Sequence, residues 1–399
     1  DVGIPVRDFI NTKIRAVKPS GIRRFFDIAA EMENVISLGV GEPDFDTPWS
    51  IRETAIHSLE QGQTVYTANA GLKELRQAIA EYTKRKYNLT YDPLSQILIT
   101  VGGSEAIDVG LRVILEPGDE VLIPEPSYVA YIPCAAMAGG TPVPIPLQSD
   151  KGFKLTRADL EAAWTPRAKV LIFPYPNNPT GAVMTVEEMR EVCEFVQERD
   201  LFVISDEIYA ELTYGEQPHV SIASLPGMAE RTLVINGFSK AFSMTGWRLG
   251  YAMGPRDLMK QMIKLHQFAI MCAPTTSQYA AIEALAHCEE DVQRMRREYN
   301  RRRRYVVHRL QQMQLPCPVP DGAFYVFPCI KEFGMSSDDF CETLLKEERI
   351  AVVPGSAFGD SGEGFVRISY AYSMEELKTA LNRIERFIQK RRQKNGGMQ

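Results

Sequence analysis

Apolar and polar positions along this chain alternate between two rhythms. From about residue 70 onward, short apolar runs of strand length, "QILIT", "EVLIP", "KVLIF", "LFVIS", "TLVIN" and "LGYAMG", are separated by stretches of helical spacing. Leu72, Leu75, Ile79 and Tyr82 recur at that spacing, and "EAIDVGLRVIL" follows the first strand run. That alternation predicts an α/β domain built on a mainly parallel sheet.

After a helical region at roughly 277 to 313, the pattern changes to a more separated α+β set. It comprises "AFYVFP", "IAVVP", "FVRISYA" and an amphipathic helix from Met374. This predicts a second, smaller domain. The expected division is an N-terminal arm with part of the small domain over 1–45, a large domain over 46–285 and the small domain over 286–399. The segment up to about Ser20 reads either as an arm reaching across a subunit interface or as a helix of open docking. The tail "KRRQKNGGMQ" reads as frayed.

Composition narrows the class. With 45% hydrophobic and 24% charged residues in 399, the chain has the make-up of an ordinary soluble globular protein. A net charge of −6 with interspersed basic residues gives no nucleic-acid footprint. The run Arg301 to Arg304 reads as a solvated helix face, because Tyr299, Val306 and Leu310 recur at helical spacing around it. Seven widely spaced cysteines without a C-x-x-C argue against a disulfide framework and a zinc site, so a reducing cytoplasm is expected and no metal. No apolar run approaches the roughly 20 residues of a membrane span, and "DVGIPVRDFINTKIR" lacks a signal-peptide core. The chain opens without Met, which is compatible with a processed or trimmed start.

The candidate chemistry lies after the strands, where ligands bind in open α/β sheets. Gly102-Gly103-Ser104 follows "QILITV" and opens a helix, Tyr128 follows "EVLIPEPS", and Asn177-Asn178-Pro179-Thr180-Gly181 follows "KVLIFPYP". Asp206 and Tyr209 follow "LFVIS", and Lys240 follows "TLVINGFS". The glycine turn could cradle a phosphate at a helix N-terminus, or be a plain helix start. It is neither G-x-G-x-x-G nor a Walker loop. "NNPTG" could be only a turn, and Tyr128 and Tyr209 only half-buried aromatics. Asp206 is more informative, because a carboxylate ending a buried strand is costly unless it meets a cation or a strong donor.

Lys240 and Arg248 are more informative still. They lie in "NGFSKAFSMTGWRLGYAMG" among small and apolar residues, with no carboxylate between Asn236 and Gly254 to pair either. An amine for a Schiff base, an acid for a ring nitrogen, a phosphate cup and an aromatic face together specify pyridoxal phosphate.

The same residues carry a family resemblance. The motifs "SLGVGEPDFDTP", "YTANAGLKELRQAI", "VGGSEA", "PYPNNPTG", "SDEIYAELTY", "NGFSKAFSMTGWRLGY", "DGAFYVFP" and "VRISYA" run nearly end to end. In their order and spacing the chain resembles the class I aminotransferases of the aspartate aminotransferase fold. The resemblance implies fold type I, a three-layer αβα large domain with a smaller α+β domain, acting as a homodimer on amino and 2-oxo acids by a ping-pong mechanism. It further implies that Lys240 carries the cofactor and shuttles the proton, and that Asp206 holds the ring nitrogen protonated. Asn178 and Tyr209 would bond the ring hydroxyl oxygen, and Tyr128 would stack on the ring. Gly103, Ser104, Ser239 and Arg248 would hold the phosphate, with Tyr66 contributed by the partner subunit. Arg367 would grip the substrate α-carboxylate, under the loop carrying Gly41.

Substrate choice is less sharply marked. Some aspartate-selective relatives place a lysine directly after the Gly-Gly turn, where this chain has Ser104. "SGIRRF", "VPGSAFGDSGEGFVRISYA" and "IKEFGMSS" look most like bacterial aminotransferases of the N-acetyl-diaminopimelate type, then like broad aromatic or aspartate enzymes. A β-lyase on the same fold is the alternative enzyme. A ligand-sensing regulator is disfavoured, because "GVGEPDF" begins near residue 39 and leaves no room for a DNA-binding domain.

Overall fold

The computed structural model describes residues 2–397. After a two-residue strand β1 (Ile36–Ser37), seven strands build the central sheet: β2 (Ile97–Thr100), β3 (Glu120–Glu125), β4 (Thr141–Pro146), β5 (Ala168–Phe173), β6 (Phe202–Asp206), β7 (Thr232–Gly237) and β8 (Gly250–Met253). Their order is β2-β8-β7-β6-β5-β3-β4. Only β8 runs against its neighbours, so the sheet is mainly parallel, as the alternating pattern predicts. β2, β3, β7 and β8 are buried at every position, which is why they read as continuous apolar runs rather than as alternation.

The smaller unit holds β9 (Tyr325–Val326), β10 (Ile350–Ala351), β11 (Val353–Pro354) and β12 (Val366–Ser369). β12 lies between β11 and β9, and β10 pairs with β1 from the start of the chain. Phe324, Tyr325, Phe340, Phe387 and Tyr370 pack in its core together with Leu38 and Tyr209, so the two units share apolar contacts next to the site.

The helical region near 277–313 forms as expected, as two helices, Thr275–His287 and Glu289–Gln312, while two other expectations need correction. Glu289, Glu290 and Asp291 make a new start after Cys288, where acidic residues favour the helix N-terminus. Arg302, within the run read as solvated, is only 5% exposed. It lies on the buried face with Tyr299, Val306 and Leu310, and pairs with Asp44 at 2.8 Å and Glu298 at 3.1 Å. The tail does not fray at "KRRQKNG": the helix Met374–Gly396 runs through it. Arg391 pairs with Glu347, and Arg392 reaches Glu332 at 2.7 Å. Met398 and Gln399 lie outside the described residues.

At the other end, Asn11 caps a single turn of helix, Thr12–Ala16, and Val2, Ile4, Val6 and Phe9 are exposed. No described helix is long and apolar enough to cross a membrane.

Candidate active site

The carboxyl ends of β3, β5, β6 and β7 and the N-terminus of the helix after β2 converge on a cavity of about 360 Å³. Its wall brings together Gly41, Gly103, Ser104, Tyr128, Asn178, Asp206, Tyr209, Ser239, Lys240 and Arg248. Arg367 adjoins it through Asn178. Tyr66 does not line it and is 76% exposed.

One end is built for an anion. The helix Gly102–Ile114 has no side-chain cap, so its first N–H groups and positive dipole end face the cavity beside Gly103 and Ser104. Arg248 follows a 3₁₀ turn, adopts a left-handed φ of 51°, and donates from Nη1 to the Thr245 carbonyl at 3.1 Å. Its guanidinium lies against Gly102, where a Cβ would come 2.5 Å from Nη2. Gly102 also has a φ of +70°, so both conformation and space require glycine there.

Asp206 lines the cavity too. It closes β6 and is 8% exposed, yet its donors are a phenol and a backbone amide rather than a cation. Tyr131 donates to Oδ2 at 2.6 Å and the Ile208 N–H to Oδ1 at 3.3 Å. Burial raises its pKa, opposed by those two bonds. Tyr131 opens the short helix Tyr131–Met137, and its ring meets that of Tyr128 edge-on at 5.5 Å. The motif reading missed Tyr131. Its signal is the spacing of three from Tyr128 in "SYVAY", which brings two rings to one side of a helical turn.

Lys240 lines the same cavity. Its amine donates to the Gly41 carbonyl and lies 5.8 Å from the centre of the Tyr209 ring. Burial and the neighbouring Arg367 and Arg248 lower its pKa to about 8, while Glu42 and Asp206 pull the other way. Glu42 lines the cavity and accepts from the Thr245 hydroxyl, tying the Gly41 loop to the loop of Lys240 and Arg248. Asn177 organises the "NNPTG" turn by donating to Thr180 Oγ1 at 2.9 Å and to the Pro126 carbonyl at 3.1 Å. That sets Asn178 and the segment leading to Tyr128 in one frame.

Arg367 on β12 is 4% exposed. Nη1 donates to Asn178 Oδ1 at 2.8 Å and Nη2 to the Gly39 carbonyl at 2.6 Å, while Nε has no partner. The Tyr325 ring lies 4.4 Å and the Phe358 ring 4.9 Å from the guanidinium carbon. Tyr325 also meets the Tyr209 hydroxyl at 2.7 Å. It too escaped the sequence reading, because "DGAFYVFP" shows a buried strand and not where its hydroxyl points.

A buried carboxylate without a paired cation, a guanidinium beside a helix N-terminus and an amine of lowered pKa in one cavity fit a flat ring with a basic nitrogen, an aldehyde and a phosphate, the groups that pyridoxal phosphate carries.

Comparison with known proteins agrees. The family description "Aminotransferase class I and II" matches residues 33–384. YugH of Bacillus subtilis, whose name gives aminotransferase without a substrate, is 54% identical over 382 residues, covering 96% of this chain and 99% of its own. A second Bacillus subtilis protein, "Probable N-acetyl-LL-diaminopimelate aminotransferase", is 46% identical over 384 residues, covering 96% and 97%. The crystal structure of an aromatic aminotransferase from Pyrococcus horikoshii superposes with a TM-score of 0.88 at 47% identity, over 92% of this chain and 99% of that one. The chain therefore belongs to the class I and II aminotransferases, and is a pyridoxal-phosphate-dependent transaminase of the aspartate aminotransferase fold.

Proposed function

We propose that this cavity binds pyridoxal phosphate on Lys240 and transfers the amino group of an L-amino acid to a 2-oxo acid, 2-oxoglutarate being the expected acceptor. The observation that carries the reading is that one cavity is lined by the Lys240 amine, the Asp206 carboxylate and the Arg248 guanidinium, the latter two both acting on the charge of Lys240. When bound, the cofactor supplies an aldehyde that condenses with amines and a protonated ring that withdraws electrons from the substrate α-carbon.

The chain's own groups divide the remaining work. Asp206, held by Tyr131, keeps the ring nitrogen protonated, and Tyr128 covers the ring face. Asn178 and Tyr209 hold the ring hydroxyl oxygen. Gly103, Ser104, Ser239 and Arg248 bind the phosphate. Arg367 grips the substrate carboxylate, and the Gly41 loop closes over it. Once freed by the donor amine, Lys240 would take the substrate α-proton and return it at the cofactor's C4′ carbon, on the other side of the bridging nitrogen. Its lowered pKa suits both roles. The donor leaves as a 2-oxo acid, and a second 2-oxo acid takes up the amino group in the return half-reaction.

We assign the boundaries 1–45, 46–285 and 286–399 to the arm-bearing segment, the cofactor domain and the small domain. A homodimer is part of the reading, with Tyr66 reaching the partner's phosphate end. Support comes from Val65, Tyr66, Phe268 and Met271, large exposed apolar residues. Thr275 donates to the Val65 carbonyl at 2.7 Å and Asn69 to the Met271 carbonyl at 2.9 Å, which holds the two exposed segments together.

N-acetyl-diaminopimelate is the first donor to try, then aromatic amino acids and aspartate. Relatives named for different donors lie at nearly equal identity, so overall similarity does not rank them. A panel of these donors against 2-oxoglutarate tests the reading. A flat or reversed ranking removes the N-acetyl-diaminopimelate assignment. Release of pyruvate and ammonia from a cysteine conjugate without any 2-oxo acid would replace transamination by a β-lyase.

A further inference from the structure

We propose that Tyr325 is a positioning residue that aims the Tyr209 hydroxyl at the ring hydroxyl oxygen of the cofactor, and joins that aim to the grip on the substrate carboxylate. The proposal rests on the cofactor reading above.

Tyr325 touches three functional parts at once. Its hydroxyl lies 2.7 Å from that of Tyr209, and both residues are buried, at 0% and 3% exposure. Its ring faces the Arg367 guanidinium at 4.4 Å, because β9 pairs with β12 through Tyr325 and Ser369, two residues beyond Arg367. Its hydroxyl also abuts the carboxylate loop, where a Cβ on Gly41 would come within 2.7 Å of it. Tyr325 belongs to the small unit and Tyr209 follows β6 of the large sheet, so this bond spans the two.

The direction of the bond follows from proton counting. A phenol has one proton to donate. If Tyr209 gave its proton to Tyr325, none would remain for the cofactor oxygen. With a cofactor oxygen to receive the Tyr209 proton, Tyr325 donates to Tyr209 and Tyr209 donates into the cavity. Burial raises the pKa of both phenols and keeps both protons in place at neutral pH. The charged groups acting on the pair are Arg367 and Asp206, with Tyr128 as a further phenol beside Tyr325 and the Lys240 nitrogen 5.8 Å from the centre of the Tyr209 ring. In such a chain each donor polarises the next, so Tyr325 strengthens the bond that Tyr209 makes to the cofactor. A carboxylate on Arg367 would perturb the Tyr325 ring directly, which links substrate arrival to the cofactor's electronics.

The test uses the cofactor-loaded enzyme and reads the pH midpoint of the yellow absorbance change of the Lys240-bound cofactor. A donor on the ring oxygen disperses negative charge that otherwise retains the nearby imine proton, so removing or weakening the donor raises the midpoint. Y209F should raise it most. Y325F should raise it by about half a unit, or roughly threefold in proton affinity, the scale of one weakened hydrogen bond. In the Y209F/Y325F double variant the midpoint should match Y209F alone. G41A, whose methyl displaces the Tyr325 hydroxyl without altering Tyr325, should shift it in the same direction, and only when Tyr209 is present.

An unmoved midpoint in a Y325F enzyme that melts like the parent, or additive shifts in the double variant, would overturn the role of Tyr325. If Y325F does not fold, an unmoved midpoint in G41A overturns it. Absence of any yellow band in the parent overturns instead the cofactor reading on which the proposal rests.

Discussion

Arg367 of the small unit donates through Nη1 to Asn178 Oδ1, after β5 of the large sheet, at 2.8 Å. The guanidinium is thus oriented before substrate arrives, with Nε still free of any partner. A planar fork fixed in this way is suited to a carboxylate, and a lysine is not a substitute for it. R367K should lower kcat/KM for every α-amino acid donor by roughly 30- to 150-fold, the equivalent of about 2–3 kcal/mol, and lower cofactor affinity by much less. Steady-state kinetics beside a cofactor titration checks both halves.

The Tyr131 bond to Asp206 gives a second prediction. Without that donor the buried carboxylate loses a stabilising partner and its pKa rises further. Y131F should weaken cofactor binding about tenfold and D206N more strongly, since a hydrogen bond to a charged group is worth about 1.5–3 kcal/mol. Absorbance titration of the apoenzyme with pyridoxal phosphate measures both. Equal affinity in Y131F and the parent would remove Tyr131 from the site's support.

The pKa of Lys240 sets a pH dependence. The neutral amine is the nucleophile, and with the pKa lowered to about 8 it predominates above that pH. The rate of cofactor capture by the apoenzyme should rise tenfold per pH unit up to about 8 and then level off. A solvated lysine would keep rising to about 10.4. Stopped-flow capture rates across this range separate the two.

Gly102 offers a backbone prediction. G102A would place a methyl against Arg248 and force an L-residue into left-handed backbone. It should destabilise the protein by about 1–2 kcal/mol and, if Arg248 holds the phosphate as proposed, weaken pyridoxal phosphate more than pyridoxal, which lacks that group. A thermal melt and the ratio of the two affinities test it.

Much of the site is legible in sequence, and the reasons are physical. Asp206 and Lys240 follow apolar runs that become buried strands, and an ionisable group at such an end needs a partner. The cavity gathers them because parallel strands deliver their carboxyl ends to one edge. Tyr131 and Tyr325 were hidden because their roles lie in contacts 75 and 116 residues away along the chain. Arg302 was misread because its charge suggested solvent, while its helical position with Tyr299 and Val306 placed it inward to meet Asp44. The tail helix was likewise fixed by distant partners, Glu332 and Glu347, which local composition does not show.

The central claim is that Lys240 carries the cofactor, and borohydride reduction of the loaded enzyme followed by peptide mass mapping tests it most directly. One modified peptide per chain is expected, containing Lys240, with loss of the modification when an amino donor is added before the borohydride. A modification on another lysine, or none at all in a yellow protein, would contradict it.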